Sequence, residues 1–353
     1  MTTDELYMQR CIQLAKSGAG NVAPNPMVGA VLVYKEKIIG EGYHQKYGEA
    51  HAEVNCIASV KIKDRQLIER STLYVSLEPC AHFGKTPPCS NLIIRHKIPK
   101  VVIGSRDPFK EVNGRGIEKL KAAGIEVITG ILGDACKDLN KRFFTFHTKQ
   151  RPYIILKWAQ TANKKIATND NKRLIISNNI TNRLVHKWRF EEASILVGTN
   201  TATADDPSLT NRLWTGKNPV RLIIDKNIRL PLSLKIFNRE SPTIVFNYEK
   251  QTLEPGDTGN FTNQVYYFKI EKDKSLVRQI ANACYQLNLQ SILIEGGAKL
   301  LQSFIDEKLF DEIRIITNKD LIIGEGLAAP LSSGSLKQSE YFAIRNDNIY
   351  FIL

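Results

Sequence analysis

A chain of 353 residues, 42% hydrophobic and 24% charged, is long enough for two cores and too ordinary in composition for a disordered or fibrous protein. No run approaches the ~20 apolar residues of a membrane span, and Met1-Thr2-Thr3-Asp4-Glu5 lacks the basic start and apolar core of a secretion signal, so a cytoplasmic protein is expected. The net charge of +13 is spread evenly, with 22 Lys/Arg against 15 Asp/Glu in residues 1–150 and 27 against 21 in 151–353, which suits phosphorylated small molecules as well as nucleic acid.

Thr2 and Glu5 have capping-box spacing, and Tyr7, Cys11, Leu14 and Ala15 follow at helical intervals, predicting a helix over 4–17. Strands are expected at 28–34 and 37–42, a helix at 51–60 and a strand at 72–77. A helix at 90–97, a strand at 101–104, a helix at 115–123 and a strand at 125–128 follow. Such alternation argues a mixed or parallel sheet covered on both faces. Thr148-Lys149-Gln150-Arg151-Pro152 interrupts the pattern and sets a domain boundary, giving units of 1–148 and 149–353. Beyond it, strands are predicted at 153–158, 193–197, 220–224, 243–246, 291–294 and 313–316. Helices are predicted at 180–191, 274–287 and 298–305, with a polar loop over 249–263.

Cys11, Cys56, Cys136 and Cys284 fall in apolar or helical patterns and read as buried thiols, because a chain without a secretion signal rarely builds a disulfide framework. Cys80 and Cys89 instead punctuate a loop containing Pro and Gly. With His51 they make one imidazole and two thiolates, and a catalytic zinc takes three protein ligands while keeping a fourth position for water. Glu53, two residues after the histidine at a helix start, can face that fourth corner and carry a proton from water to a departing amine. His-x-Glu followed by Pro-Cys-x-x-Cys is the signature of base deaminases. Here eight residues separate Cys80 from Cys89, so the longer loop brings His82, Lys85 and Thr86 as further groups that can reach a substrate. The competing reading is a structural zinc, with His82 as a nearby fourth ligand, or two cysteines unrelated to His51.

In the second half, Glu295-Gly296-Gly297 closes an apolar strand and opens a helix, a turn that lets backbone approach a phosphate. Gly198 to Pro207 follows another strand and offers hydroxyls and amides, and Arg189 and Arg212 could grip a phosphate through bidentate contacts. Either arginine could equally be an ordinary ion-pair residue, and no Gly-x-Gly-x-x-Gly fingerprint is present.

His51-Ala52-Glu53, the run Leu77 to Cys89, and Pro24-Asn25-Pro26-Met27-Val28-Gly29 together resemble the bifunctional deaminase/reductase family of riboflavin biosynthesis. The extended Cys-to-Cys loop separates that family from cytidine and tRNA adenosine deaminases. Lys157, Arg189, Gly198 to Thr201, Asp205 to Thr210, Arg212 and Glu295 to Gly297 resemble its reductase half. The resemblance implies an α/β chain, a cytidine-deaminase-like three-layer domain followed by a dihydrofolate-reductase-like domain. It implies zinc on His51, Cys80 and Cys89, with Asn25, His44, His82 and Lys85 near the substrate. It further implies that Thr201, Asp205, Gly296 and Gly297 contact NADPH, and that Lys157, Arg189, Leu209, Arg212 and Glu295 line the ribose phosphate. The expected reactions are hydrolytic deamination of a phosphoribosylamino-pyrimidine and reduction of its ribosyl chain to ribityl. The expected partners are that substrate and further copies of the same chain, with neither nucleic acid nor membrane. The alternative is a tRNA or nucleobase deaminase with a C-terminal nucleic-acid-binding module. Three segments depart from the family pattern: Thr161-Ala162-Asn163-Lys164 for Ser-Leu-Asp-Gly, Ile175-Ile176-Ser177 for Trp-Ile-Thr/Ser, and Thr317-Asn318 for Ala-Pro. They predict an altered cofactor or substrate placement in the reductase half.

Overall fold

The computed structural model describes residues 1–84, 87–169, 174–254, 256–257, 261–331 and 338–353. The chain divides into two compact units, Met1–Lys149 and Gln150–Leu353.

The first unit runs α1 (Thr3–Lys16), β1 (Gly29–Tyr34), β2 (Lys37–Tyr43), α2 (Ala52–Ala58), a 3-10 segment Ile62–Arg70, then β3 (Thr72–Leu77) and α3 (Cys89–Arg95). It continues with β4 (Lys100–Ser105), α4 (Arg115–Ala122), β5 (Glu126–Thr129), α5 (Gly133–Leu139) and α6 (Lys141–Lys149). The capping box at the start of α1 is made on both sides, Glu5 N donating to Thr2 Oγ1 at 3.3 Å and Thr2 N to Glu5 Oε2 at 2.7 Å. The sheet order is β2-β1-β3-β4-β5, antiparallel across β2, β1 and β3, and parallel across β3, β4 and β5. Strand alternation divides the apolar side chains between two faces. Val31, Val33, Tyr74 and Val102 meet Met8, Cys11, Ile12 and Cys136 of α1 and α5. Leu32, Leu73, Val75, Val101 and Ile103 meet Cys56, Ile57, Ile93 and Leu120 of α2, α3 and α4. Gly42 lets α2 lie directly on β2, since a Cβ there would fall 2.2 Å from Cys56 N. The helix that carries His51 at its start is thereby seated against the sheet.

The second unit runs β6 (Tyr153–Thr161), β7 (Lys165–Ala167), α7 (Asn179–Glu191), β8 (Ser194–Val197), α8 (Thr199–Asp205), β9 (Val220–Ile224), β10 (Thr243–Asn247) and β11 (Val265–Lys269). After these come α9 (Leu276–Gln286), β12 (Ser291–Glu295), α10 (Ala298–Asp306), β13 (Glu312–Asn318), β14 (Leu327–Ala328), β15 (Gln338–Ile344) and β16 (Asp347–Ile352). The main sheet is ordered β11-β10-β9-β8-β12-β6-β13-β16-β15. From β11 to β13 every pairing is parallel, and β16 and β15 close that edge antiparallel. Ile154, Leu156, Ile292 and Ile294 pack with Ile280, Leu301 and Phe304 on one face. Tyr153, Ile155, Leu293 and Ile316 pack with Val185 and Trp188 on the other. Burial on both faces explains why these strands read as unbroken apolar runs.

The structure adds elements that periodicity did not disclose. Helix α6, for which no element was predicted, runs to Lys149 and so into the start of the break expected at 148–152, because Phe143, Thr145 and Phe146 give it a buried stripe. Thr199–Asp205, for which no element was predicted, is a short helix stopped by Asp206 in the left-handed region and by Pro207. Strands β11, β15 and β16 also went unread, β11 because its half-buried Val265–Lys269 follows a polar stretch. Positions 255 and 258–260 of the expected polar loop lie outside the described residues. No described helix is long and apolar enough to cross a membrane.

Candidate active sites

His51 is the N-cap residue of α2, Cys80 lies just beyond β3, and Cys89 is the first residue of α3. Their donor atoms all lie within 4.8 Å of one another. His51 Nδ1 stands 3.6 Å from Cys80 Sγ and 3.3 Å from Cys89 Sγ. A tetrahedral zinc with sulfur at about 2.3 Å and imidazole nitrogen at about 2.05 Å requires about 3.6 Å between those donors, so one of the two nitrogen–sulfur distances matches the ion and the other falls about 0.3 Å short of it. Among the described residues this is the one grouping of His, Cys, Asp and Glu that meets such a criterion, and it offers three protein ligands rather than the four of a structural site.

The charges at this corner also suit a cation. The hydrogen bond from Cys89 holds the Cys80 thiol down to about 4, against burial and with help from His51 and from Cys89 N–H at 3.3 Å. Cys89 moves upward, first through that same bond, so the shared proton stays on it. His51 is raised by its bond to Cys80. Glu53, only 3% exposed, is raised by burial and then by the Cys80 charge. A thiolate and a carboxyl packed inside a protein against one imidazole make a site that a divalent ion would neutralise.

Around the triad, His44 is buried, and its Nδ1 donates to Ala50 O at 3.0 Å while Nε2 accepts from Asn25 Nδ2 at 3.2 Å. That pairing assigns the neutral Nδ1–H tautomer, and burial lowers its pKa in the same sense. Its ring meets His51 edge-on at 5.3 Å, so His44 touches both Asn25 and a residue of the triad. His82 packs its ring edge-on against Phe109 at 5.9 Å, and its Nδ1 is buried with no hydrogen-bond partner among the described residues. Lys85 and Thr86 lie outside the described residues.

Two carboxyls here had no role in the sequence reading. Glu78, two residues before Cys80, accepts four backbone N–H groups, from Asp107 (3.2 Å), Gly114 (2.9 Å), Gly116 (3.0 Å) and Ile117 (3.2 Å). It ties the start of α4 and the loop after β4 to the strand end that carries Cys80. Gly116 is required beneath it, because a Cβ would fall 2.0 Å from Pro79 O. Asp107, buried beside Glu78 and Cys80, is pushed up to about 7 by burial. The Glu-Pro-Cys sequence contained the only signal, and it could not say which amides the glutamate would meet.

In the second unit, register places Glu295 at the end of β12 beside Lys157 of β6. Arg189, from α7, forks onto Glu295 through Nε (2.9 Å) and Nη2 (2.8 Å), and its Nη1 donates to Thr210 O at 3.0 Å. Lys157 Nζ lies 3.5 Å from the same carboxylate. The bidentate grip expected to face a phosphate is thus engaged by a buried carboxylate. Burial alone would raise Glu295, but the charges of Arg189 and Lys157 overcome it and hold the group down to about 2. Leu209 is buried with φ +53°, shaping the backbone that offers Thr210 O. Arg212 is exposed, yet near enough to depress His186 together with Arg189. Thr201, in the first turn of α8, lies against Gly296 and Gly297, whose φ values are +89° and +79°. Asp205 is exposed one turn further on.

The three departing segments meet in space. Thr161 and Asn318 pair in the β6–β13 ladder, as do Gln160 and Thr317. Asn318 Nδ2 donates to Ile176 O at 2.7 Å, while its Oδ1 accepts from Asp320 N and Leu321 N at 3.1 Å each. Thr161 Oγ1 donates to Asn163 Oδ1 at 2.7 Å, and Asn163 Nδ2 to Ile323 O at 2.6 Å. Changes scattered through the sequence therefore form one satisfied hydrogen-bonded corner.

Two family descriptions match the chain: the cytidine and deoxycytidylate deaminase zinc-binding region over residues 1–105, and the RibD C-terminal domain over residues 152–349. The riboflavin biosynthesis protein RibD of Aquifex aeolicus is 41% identical over 327 residues, spanning 92% of this chain and 89% of that protein. The RibD of Bacillus amyloliquefaciens is 37% identical over 338 residues, spanning 95% and 90%. The crystal structure of a diaminohydroxyphosphoribosylaminopyrimidine deaminase/5-amino-6-(5-phosphoribosylamino)uracil reductase from Thermotoga maritima superposes with a TM-score of 0.87 at 37% identity, covering 99% of this chain and 98% of that one. Acinetobacter baumannii RibD gives a TM-score of 0.86 at 31% identity over the same shares. On this likeness along nearly its full length, the chain belongs to the RibD family, riboflavin biosynthesis enzymes that join a deaminase to a reductase.

Proposed function

We propose that residues 1–148 deaminate a phosphoribosylamino-pyrimidine and that residues 149–353 then reduce its ribosyl chain to ribityl with NADPH. Water replaces the ring amino group, which leaves as ammonia. His51, Cys80 and Cys89 would hold a zinc ion, and a zinc bound there supplies the acidity that makes water a nucleophile near neutral pH. Glu53, buried beside the ligands, takes the proton from water and returns it to the leaving nitrogen. His44 keeps Asn25 oriented by accepting its amide N–H, which leaves the Asn25 carbonyl oxygen for the substrate. In the second unit Thr201, Asp205, Gly296 and Gly297 would contact NADPH, and Lys157, Arg189, Leu209, Arg212 and Glu295 would line the ribose phosphate. The positive charge, spread evenly with no basic tail or arm, is compatible with such a small phosphorylated substrate.

The observation that carries this reading is the convergence of one nitrogen and two sulfurs within 4.8 Å, two residues from a buried glutamate. Its test follows ammonia release and NADPH oxidation together on the phosphoribosylamino-pyrimidine. The wild type should do both, and Glu53→Gln should lose ammonia release by roughly 100-fold or more with its zinc retained. Undiminished turnover in that variant rules out the proton role. Ammonia without NADPH oxidation rules out the reductase.

A further inference from the structure

Helix α7 grips the turn after Leu209 at four points. Arg189 Nη1 donates to Thr210 O at 3.0 Å, and Leu213 N donates to Nδ1 of His186 at 3.5 Å. Lys187 Nζ stands 5.7 Å from the centre of the Trp214 ring, and Gly216 lies so close on Phe190 that a Cβ there would fall 2.1 Å from the ring. The turn is also closed on itself. Asn211 N donates to Asn218 Oδ1 at 3.0 Å, Asn211 Nδ2 to Gly216 O and Lys217 O at 3.1 and 2.8 Å, and Trp214 N to Asn211 O at 2.7 Å. Arg212 therefore rides on a rigid mount. The anchors at Thr210 and Leu213 flank it, while the arginine itself is exposed.

His186 is buried, and an apolar side chain would fill its place without the cost of burying a polar ring. What the imidazole adds is an acceptor for Leu213 N. Burial, then Arg189 and Arg212, push its pKa down to about 4, so near neutral pH Nδ1 carries no proton and can accept. The influence of both guanidiniums also puts Arg212 close to the corner where Arg189 and Lys157 meet Glu295. We propose that His186 is a positioning residue of the reductase. By accepting Leu213 N–H it fixes the turn so that Arg212, the residue before, presents its guanidinium to the phosphate of the substrate. This inference rests on the reductase reading of the second unit.

The test gives the full chain NADPH and the deaminated phosphoribosylamino-pyrimidine, with and without its phosphate, and follows NADPH oxidation. His186→Leu should raise KM for the phosphorylated substrate roughly two- to twelvefold, the range for one hydrogen bond, with kcat near wild type. KM for the substrate lacking phosphate should not move, because Arg212 then has nothing to grip. His186→Asn, whose side-chain oxygen reaches the place of Nδ1, should restore KM. In an Arg212→Ala background His186→Leu should add almost nothing, since one residue acts through the other. If the Leu variant does not fold, His186→Gln replaces it, its oxygen reaching the Nε2 side and leaving Leu213 N unpaired. An unchanged KM, an equal rise for both substrates, or an effect that persists without Arg212 overturns the proposal while leaving the reductase standing. Absence of NADPH oxidation by the wild type instead overturns the reading beneath it.

Discussion

Replacing Glu295 by Gln would leave Arg189 and Lys157, whose side chains are only 13% and 11% exposed, without the anion that both face. The fall of the Glu295 carboxyl from its ordinary 4.5 to about 2 corresponds to about 3 kcal/mol of favourable interaction. A carboxyl depressed by folding contributes stability that is present in full above 4.5 and disappears as pH drops towards 2. At pH 7 it is fully present. Burial pushes the Lys157 ammonium downward, so part of the gain is offset and roughly 2–3 kcal/mol remains at stake. For a unit of this size that predicts a fall of about 4–12 °C in the melting temperature of the second unit. The assay can be specific, because all three tryptophans, Trp158, Trp188 and Trp214, lie in that unit and two of them are 4% exposed. Tryptophan emission of the full chain therefore follows the second unit alone. The wild-type advantage should shrink below pH 4.5. A variant melting within about 1 °C of wild type at pH 7 would refute the claim that this carboxylate balances two buried cations.

Glu78→Gln should disturb the zinc corner without touching a ligand: its amide nitrogen would confront two of the four N–H donors now accepted, each costing about 1–3 kcal/mol if left unpaired. Competition against a chelator should show zinc affinity lowered roughly 10- to 100-fold, and unchanged affinity would mean the loop is held by other means. His186 is depressed to about 4 by burial and by Arg189 and Arg212, so the neutral ring is the folded form. The second unit should lose stability as pH falls from 6.5 towards 4, above the range in which Glu295 titrates, and His186→Leu should flatten the tryptophan-detected melting temperature over that interval.

Much of the architecture was legible along the chain. Fully buried parallel strands such as Ser291–Glu295 appear as apolar runs, and the first helix is announced by Thr2 and Glu5. Elements whose burial is partial were not legible. The edge hairpin β15–β16 alternates weakly, and α8 is too short for a helical period to emerge. The departures at Thr161, Ile176 and Asn318 looked like losses when read singly, and the fold joins them in one hydrogen-bonded corner.

What the sequence determined by itself was the chemistry on offer. An imidazole, two thiols and a carboxyl keep their donor character wherever the chain carries them, and that set of residues already pointed to a catalytic zinc. Only the tertiary structure decided which groups face which: Glu78 on four amides, Arg189 on Glu295 across 106 residues, His82 on Phe109 and Phe109 on His147. A side chain's partner depends on how strands and helices are layered, and local spacing carries no record of that.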